Sequence, residues 1–368
     1  MTMTARSRAC DPCLRRVWLL NRMSSHLELE RARLFDALDC FDNEMMCTYG
    51  GGRREEIYRN WLEFDADAAR TVCTEAGVEP VCRCDPEFPE NLHGQRHPPT
   101  VLHVRGRIDL LVHSSDLPPV AIVGSRRASQ YAREVATALA RDLAACGIPI
   151  VSGLAPGVDT AAHLGAVDQA GSTIAVLPAG SERAYPASQR QLHRRIAAEG
   201  VVISEMPPGT AIRRWMFPAR NRVIAGIAAM TVIVEAGEHS GSLTTVEVAH
   251  RLRRTVGAVP GQVSSPLAAG PNALLANGGA VVVRDAQDVV DWLKEIYELP
   301  DGIEVEDGRP EPDPEQRALL LAIASGADTL GTLQDAGFSL QDVLTGTAAL
   351  ELSGHVRHGP GGRFVVVL

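Results

Sequence analysis

The sequence predicts an α/β fold in which helices cover both faces of a parallel sheet, with a helical region before the sheet and a small winged-helix-like domain after it. The prediction rests on short apolar, β-branched runs that alternate with amphipathic helical stretches from residue 119 onward. These runs are apolar throughout, which is typical of strands that are buried on both faces. The strand runs lie at residues 120–123, 148–151, 173–177, 201–203, 231–234, 255–259 and 281–283, and helical stretches such as 131–146 and 243–254 separate them.

The regions on either side of the sheet have different patterns. Before it, Leu27, Leu34 and Leu38 recur at helical spacing. After it, an acidic, proline-containing stretch is typical of a linker. Three helical segments and a terminal hairpin with a glycine-rich turn then give the outline of a winged helix. The predicted domains are an N-terminal helical domain at residues 1–95, the sheet domain at 96–299, the linker at 300–313 and the last domain at 314–368.

Composition sets wide bounds on function. The chain of 368 residues is 45% hydrophobic and 4% aromatic, which is ordinary for a globular protein. Its net charge of −9 argues against a nucleic-acid ligand when taken alone, but such binding needs only a local positive groove. Lys294 is the single lysine, so arginine supplies almost all positive charge. No apolar run is long enough to cross a bilayer, and we expect neither a signal peptide nor a location outside the cytoplasm.

Seven of the eight cysteines precede residue 85. A pair at Cys10 and Cys13 and a second pair at Cys82 and Cys84 raise the question of zinc. Zinc sites usually use two pairs with wider internal spacing, and Cys82 and Cys84 are closer together than that. The sequence therefore favours reduced thiols, and we expect no metal and no cofactor.

The loops that follow the predicted strands are rich in glycine and serine. In an open parallel sheet, ligands bind beyond the carboxyl ends of the strands. Glycine and serine let backbone N–H groups approach an anion, helix N-termini add partial positive charge, and Arg126 adds a full charge. The sequence therefore predicts a phosphate-binding edge. Its candidate residues are Gly124, Ser125, Arg126, Ser152, Gly153, Ser240, Gly241 and Ser242.

A segment at residues 213–222 combines basic and aromatic residues just before a helix. Arginines pair with phosphates, and an aromatic face can stack on a base of any identity. The alternative interpretation places Trp215 and Phe217 in the core and the arginines in solvent. The candidate nucleic-acid contacts in this segment are Arg214, Phe217, Arg220, Asn221 and Arg222.

Several enzyme signatures are missing from the sequence. It has no phosphate-binding Gly-Lys-Ser/Thr loop, no dinucleotide fingerprint after the first strand and no Gly-x-Ser-x-Gly turn. Asp159 and His163 lie four residues apart on one helical face, where they could perform acid–base work. We interpret them instead as a helix cap and a packed side chain, and we expect no catalytic residues.

These motifs, in this order, resemble the DNA-processing protein A (DprA/Smf) family across about residues 85–299. The resemblance is carried by segments such as 121–126, 151–159, 217–222 and 240–242. It implies an extended Rossmann-like domain without nucleotide chemistry, homodimerisation, single-stranded DNA binding and loading of the RecA recombinase in natural transformation or recombination. By motif match, Arg126 corresponds to a phosphate-binding arginine, Arg214 to a basic DNA contact and Phe217 to a base-contacting aromatic.

Two parts of the chain depart from the family pattern. The N-terminal region lacks the Gly-x-Gly hairpin of many members. The predicted recognition helix at residues 339–352 has no arginine or lysine, and Gln341 is the only amide near its start. We therefore expect the last domain to be protein-interacting or regulatory.

Two other functions remain open. The same kind of sheet occurs in a nucleotide phosphoribohydrolase family that carries a Pro-Gly-Gly-x-Gly-Thr-x-x-Glu signature, and the comparable loop here, residues 237–247, lacks the double glycine. The second alternative is a scaffold whose glycine- and serine-rich edge binds only a partner protein.

Overall fold

Nine strands form a single sheet that contains all of the predicted strand runs. The computed structural model describes residues 9–112, 117–169, 173–300, 303, 305 and 310–367. The strands are β1 (Glu79–Cys82), β2 (Val101–Gly106), β3 (Val120–Val123), β4 (Ile150–Ser152), β5 (Thr173–Leu177), β6 (Val201–Ser204), β7 (Met230–Ile233), β8 (Thr255–Ala258) and β9 (Val281–Val282). From edge to edge the strand order is β1-β2-β6-β5-β4-β3-β7-β8-β9. The seven strands from β3 to β9 are parallel to one another. The predicted fold class, α/β with a Rossmann-like parallel sheet, is confirmed.

Helices precede the sheet, connect its strands and follow the last strand. The helices before β3 are α1 (Asp11–Arg22), α2 (Ser24–Leu29), α3 (Leu34–Asp39), α4 (Asp42–Tyr49), α5 (Arg54–Leu62) and α6 (Ala66–Glu75), then α7 (Glu90–His93) after β1 and α8 (Asp109–Val112) after β2. The next helices are α9 (Gln130–Ala145), α10 (Val158–Val167), α11 (Arg190–Glu199), α12 (Met216–Ile227), α13 (Leu243–Arg251), α14 (Ala269–Ala276) and α15 (Ala286–Ile296). Within the described ranges, none of the helices combines the length and apolar character needed to cross a membrane.

Both faces of the sheet are buried, as the continuous apolar strands predict. Alternate residues of β3 belong to different cores: Val120 and Ile122 pack with α9, α10 and α15, whereas Ala121 and Val123 pack with α12 and α13. This alternation follows from the two-residue period of a strand. Helices on both faces leave the ends of the strands as the place where loops gather.

Two strands were not predicted from the sequence. β2 pairs antiparallel with β6, and β1 pairs antiparallel with β2, so these strands extend the sheet on one side. β1 is short and contains Pro80, a residue that sheets accept at an edge. In β2, His103 and Arg105 interrupt the apolar run. A strand signal based on continuous apolar residues therefore misses both. The predicted strand starting at residue 148 begins instead at Ile150.

The N-terminal helices pack on the start of α12. Trp215, the residue before this helix, is fully buried in their core. Its indole Nε1 donates to Ser24 Oγ at 3.0 Å, and its backbone N–H donates to the Glu28 carboxylate at 3.1 Å. For Trp215 the core interpretation is therefore correct.

Residues 306–368 form a second compact unit, separate from residues 1–305. It contains the three helices and the hairpin that were predicted: α16 (Pro314–Ala324), α17 (Leu330–Asp335), α18 (Leu340–Leu352), β10 (Val356–His358) and β11 (Phe364–Val366). Ser339 caps α18 by accepting the N–H of Asp342 at 3.1 Å. The small core of this unit includes Leu319, Leu333 and Phe364.

Candidate nucleic-acid interface

A cleft lies where the order of the strands reverses. From β3 the chain builds β4, β5 and β6 on one side, and then returns through α12 to place β7 on the other side of β3. The loops after β3 and β7 therefore run in opposite directions, and the crevice between them is the usual ligand position in such sheets. This crevice, the switch-point cleft, has a volume of about 580 Å³ and is lined by residues 123–127, 217–218, 220–221, 240–242 and 244–245, among others.

The loop after β3 is held tightly against β7. A Cβ atom on Gly124 would lie 2.6 Å from a methyl group of Val158 and 2.9 Å from the backbone oxygen of Glu235, so this position requires glycine. The backbone N–H of Ser125 donates to the same Glu235 oxygen at 2.6 Å. The Ser125 hydroxyl accepts the N–H of Arg127 at 3.1 Å. The turn is thus fixed, and the side chain of Arg126 remains exposed above it.

Arg126 contacts an aromatic ring that lines the cleft, and a second ring packs beside the first. The guanidinium carbon of Arg126 lies 5.3 Å from the ring centroid of Phe217, which is cation–π distance. The ring of Tyr185 lies 5.7 Å from that of Phe217, tilted by 58°. Phe217 is half-buried in the first turn of α12, and Tyr185 is exposed. A positive group beside partly exposed rings suits a phosphate with an attached base.

A serine-containing loop forms the facing wall. Ser240, Gly241 and Ser242 lead directly into α13, and the hydroxyls of the two serines are 2.8 Å apart. The Asn221 side chain donates to the Gly241 oxygen at 3.3 Å and to the Thr244 hydroxyl at 2.7 Å. Asn221 therefore fixes this loop to α12. The loop places serine hydroxyls at the partly positive N-terminus of a helix, which favours anions.

Ser152 and Gly153, the candidates after β4, support the cleft from behind. The Ser152 hydroxyl is fully buried and donates to the Ile122 oxygen at 2.7 Å. A Cβ atom on Gly153 would overlap the Arg220 guanidinium at 1.7 Å. The close approach leaves room for Arg220 to donate to the backbone oxygens of Gly153 at 2.6 Å and Val176 at 2.9 Å.

Arg220 and Asp159 form a charged group at the base of the cleft. The Asp159 carboxylate accepts the N–H groups of Gly153 at 3.2 Å and Ala155 at 3.3 Å. Burial raises the pKa of Asp159, and the charge of Arg220 opposes that rise. Burial lowers the pKa of Arg220 to about 10, so this guanidinium remains protonated at neutral pH. Asp159 thus holds the loop after β4, whereas the cap position of α10 belongs to Gly157.

His163 does not act together with Asp159. Its Nδ1 lies 2.8 Å from the Thr173 hydroxyl, and the side chain is completely buried. Burial lowers the pKa of His163 to about 3, so the ring is neutral under ordinary conditions. Its position agrees with the interpretation of His163 as a packed side chain.

The remaining two arginines lie elsewhere. Arg222 is buried in an ion pair with Glu205: one guanidinium nitrogen lies 2.6 Å from each carboxylate oxygen, and the two side chains are only 4% and 7% exposed. Arg214 is exposed, and its backbone oxygen accepts the N–H of Phe217 at 3.3 Å. Of the candidates, the cleft brings together Gly124, Ser125, Arg126, Phe217, Arg220, Asn221, Ser240, Gly241 and Ser242, while Ser152, Gly153, Arg214 and Arg222 are outside its lining.

Two further residues belong to this surface and were not predicted. Arg127 is exposed and lines the cleft beside Arg126. Tyr185 follows the Pro178–Gly180 turn after β5 by five residues, too far along the chain to be grouped with that loop. The signal for Arg127 was its adjacency to Arg126. The signal for Tyr185 was the Tyr185-Pro186 pair, which is one more segment that resembles the family.

Several proteins of known sequence are similar to this chain. Protein Smf of Synechocystis is 39% identical over 207 residues, which cover 55% of this chain and 51% of that protein. DNA processing protein DprA of Bacillus subtilis is 35% identical over 221 residues, 60% of this chain and 73% of that protein. Protein Smf of Escherichia coli is 34% identical over 291 residues, 76% of this chain and 75% of that protein. The chain spans about half the length of the Synechocystis relative.

Two solved structures share the fold. DNA processing protein A of Streptococcus pneumoniae superposes with a TM-score of 0.62 at 30% identity, covering 76% of this chain and 95% of that one. The Helicobacter pylori protein, whose structure describes a single-stranded DNA binding mode, gives a TM-score of 0.53 at 30% identity, covering 57% and 94%. The sequence profile of the family described as DNA recombination-mediator protein A matches residues 79–294, more than half of the chain. The chain therefore belongs to the DNA recombination-mediator protein A family, which its sequence motifs predicted.

Proposed function

We propose that this chain is a cytoplasmic, non-enzymatic protein that binds single-stranded DNA and loads the RecA recombinase onto it, in natural transformation or related recombination. The observation that carries the DNA-binding part is the contact of Arg126 with Phe217 in the switch-point cleft, with the ring of Tyr185 against that of Phe217. Membership of the family supports it, and so does the single-stranded DNA binding mode described for the Helicobacter pylori relative.

Each group at the cleft has a separate part in this proposal. Arg126 and the neighbouring Arg127 pair with backbone phosphates, because the arginine fork suits phosphate oxygens. The face of Phe217 stacks on a base, and Tyr185 extends that aromatic surface. The serine loop before α13 receives a second phosphate at the helix N-terminus. Base stacking does not depend on base identity, so we propose little sequence preference.

The other candidate residues take different roles. Arg220, Ser152 and Gly153 hold the base of the cleft in place through the buried hydrogen bonds described above. Arg222 fixes α12 to the loop after β6 through Glu205. Arg214 is exposed three residues before Phe217, and we assign it a peripheral phosphate contact.

The proposal divides the work among the parts of the chain. Residues 96–299 bind DNA, residues 1–95 form a supporting helical domain, and residues 314–368, beyond the acidic linker, contact a protein partner or regulate binding. The absence of any arginine or lysine in α18 supports the last assignment. RecA and a second copy of this chain are the proposed protein partners, on the basis of family membership.

A titration of labelled single-stranded DNA by fluorescence anisotropy tests the proposal. We expect the full chain to bind a single strand more tightly than a duplex of the same length at the same salt concentration. Equal affinity for both would contradict the proposal. If the chain binds a partner protein but no DNA at any salt concentration, the alternative of a protein-binding scaffold would be favoured. Release of a free base from a nucleoside monophosphate would favour the phosphoribohydrolase alternative.

A further inference from the structure

Four cysteines from two distant parts of the sequence meet in the first unit of the fold. The Sγ atoms of Cys10, Cys13, Cys82 and Cys84 all lie within 4.8 Å of one another. Cys13 Sγ is 3.8 Å from Cys84 Sγ, and Cys10 Sγ is 3.9 Å from Cys82 Sγ. The eight cysteines of the chain all lie in the described ranges, and none of them is joined in a disulfide.

These separations fit one tetrahedral metal ion. With zinc–sulfur bonds of about 2.3 Å, the sulfurs of a tetrahedral site lie about 3.8 Å apart. The two separations between the pairs, 3.8 Å and 3.9 Å, agree with this value. A disulfide would bring two sulfurs to about 2.05 Å. Four thiolate ligands in tetrahedral positions are typical of zinc.

The local structure explains why the sequence spacing was misleading. Cys10 precedes α1 and Cys13 lies in its first turn, so a spacing of three places both on one side of the helix start. Cys82 is the last residue of β1, and the chain turns at once, with the Asp85 N–H donating to the Cys82 oxygen at 2.8 Å. Cys84 therefore lies beyond the strand, and the turn places its Sγ atom close to that of Cys82.

Three of the four cysteines are at least partly shielded from solvent. Cys13 and Cys82 are buried, Cys10 is half-buried and Cys84 is exposed. Ala9, Leu14, Val17 and Val101 pack around the cluster as an apolar shell. The backbone N–H of Cys10 donates to Cys82 Sγ at 3.5 Å, the kind of outer contact that orients a thiolate ligand. Ala9, the residue before Cys10, is itself buried.

We propose that Cys10, Cys13, Cys82 and Cys84 hold one zinc ion in a structural site that fastens α1 to β1 at the edge of the sheet. All four coordination positions are filled by protein sulfur, so the ion has no position for a substrate. The site is independent of the DNA-binding proposal. It reverses the expectation of four reduced thiols without metal, because the fold brings together two pairs that are distant in sequence, with Cys82 72 positions after Cys10.

Metal content of the full chain tests the site. Protein is purified under reducing conditions, incubated with one equivalent of Zn²⁺ and desalted, and its zinc content is measured by elemental mass spectrometry. Competition with a chromophoric chelator gives the zinc affinity. We expect about one zinc per chain in the native protein, as a four-ligand site requires. Cys84→Ser should weaken zinc binding at least about tenfold. The exposed Cys47, in α4, supplies the control: Cys47→Ser should bind zinc as the native protein does.

A second measurement compares the visible absorption of the native protein with that of two variants. Co²⁺ in place of zinc should give the intense visible absorption bands of a tetrahedral thiolate site, and these should be much weaker in Cys84→Ser and in Cys13→Ser. Because Cys84 is exposed, its replacement remains informative if the buried Cys13→Ser protein does not fold. A native chain that takes up no zinc while its four thiols react with a thiol reagent would overturn the proposal. Disulfides mapped among these cysteines, or iron with inorganic sulfide, would overturn it as well.

Discussion

The guanidinium carbon of Arg126 lies 5.3 Å from the ring centroid of Phe217, although the two residues are 91 positions apart in the sequence. Arg126 follows β3 and Phe217 lies in the first turn of α12. The pair brings the positive charge of one loop to the aromatic face of one helix. A nucleotide needs both features at about this spacing, since its phosphate and base are held apart by a sugar.

Replacing Arg126 by alanine should weaken single-stranded DNA binding for all sequences. One lost phosphate contact should reduce the slope of the logarithm of the binding constant against the logarithm of salt concentration by about 0.7. The measurement is an anisotropy titration at several salt concentrations. Arg194→Ala is the matched control, because Arg194 is an exposed arginine in α11 and does not line the switch-point cleft. Equal slopes for Arg126→Ala and the native protein would contradict the phosphate contact.

Phe217→Ala should lower DNA affinity by a similar factor at every salt concentration. Stacking contributes roughly 1–3 kcal/mol per base and carries little charge. Phe217→Tyr keeps the aromatic face and should bind nearly as the native protein does. Thermal melting is measured beside binding, because Phe217 is half-buried. A large fall in melting temperature with unchanged affinity of the folded protein would assign Phe217 to the core instead.

Arg222→Met alone should be strongly destabilising, by about 3–5 kcal/mol, because it leaves the buried Glu205 carboxylate without its partner. The double variant Arg222→Met with Glu205→Leu removes both charges and should recover most of that loss. Chemical denaturation measures the free energy of unfolding of each. Both folded variants should bind DNA with near-native affinity. A double variant that is stable but has lost DNA binding would place Arg222 in the interface.

Stability should fall in mild acid, partly through His163. Burial holds the pKa of this ring at about 3, below its ordinary value of 6.5, so between these values the unfolded chain binds a proton that the folded chain does not. The stability contributed by the neutral ring is complete above pH 6.5 and is lost as the pH falls toward 3. Burial of His103, whose pKa is about 4, acts in the same direction.

Denaturation between pH 6.5 and pH 5 isolates the share of His163. The free energy of unfolding of the native protein should fall by about 1.4 kcal/mol per pH unit for each such histidine. In His163→Gln the slope of the free energy of unfolding against pH should be smaller by about 1.4 kcal/mol per pH unit, the contribution of one proton. Identical slopes for the two proteins would mean that His163 takes up its proton in the folded state.

A chain truncated after residue 305 should keep most of its DNA affinity. Ile303 and Val305 pack on the sheet core, and the second compact unit begins at the next residue. In that unit Arg357 and Arg363 can add only a few phosphate contacts. We expect a loss of no more than about tenfold, or ~1.4 kcal/mol. A much larger loss in a truncated protein that still melts cooperatively would make the hairpin a principal DNA contact.

The parallel sheet and the loops at its carboxyl edge could be predicted because their signal is local. Each apolar strand and the glycine- or serine-rich loop after it are adjacent in the chain, and the geometry of parallel sheets then brings the loops together. The fate of individual arginines could not be predicted in this way. Arg126, Arg220 and Arg222 have the same side chain, but the first is exposed and the other two are buried by acceptors more than fifteen residues away in sequence.

The four cysteines could not be predicted to meet for the same reason: their contacts join residues that are distant in sequence. Neither Cys10 and Cys13 nor Cys82 and Cys84 form a sufficient ligand set alone. The second pair lies at the end of β1, and the pairing of β1 with β2 places that end beside the start of α1. The sequence pattern predicted neither of these two strands. A strand with a proline at an edge and a strand with a buried histidine carry little apolar signal.

The buried Trp215 has a consequence for how this chain can vary in length. Its indole is anchored to Ser24, and Phe217 stands two residues later at the start of α12. One residue inserted between them would turn the Phe217 side chain by about 100° around the helix axis, away from Arg126. Insertions among the exposed residues 238–239 of the loop after β7 would meet no such constraint. Relatives should therefore have no insertions or deletions between Trp215 and Phe217, and differences in length should be concentrated in loops such as residues 238–239.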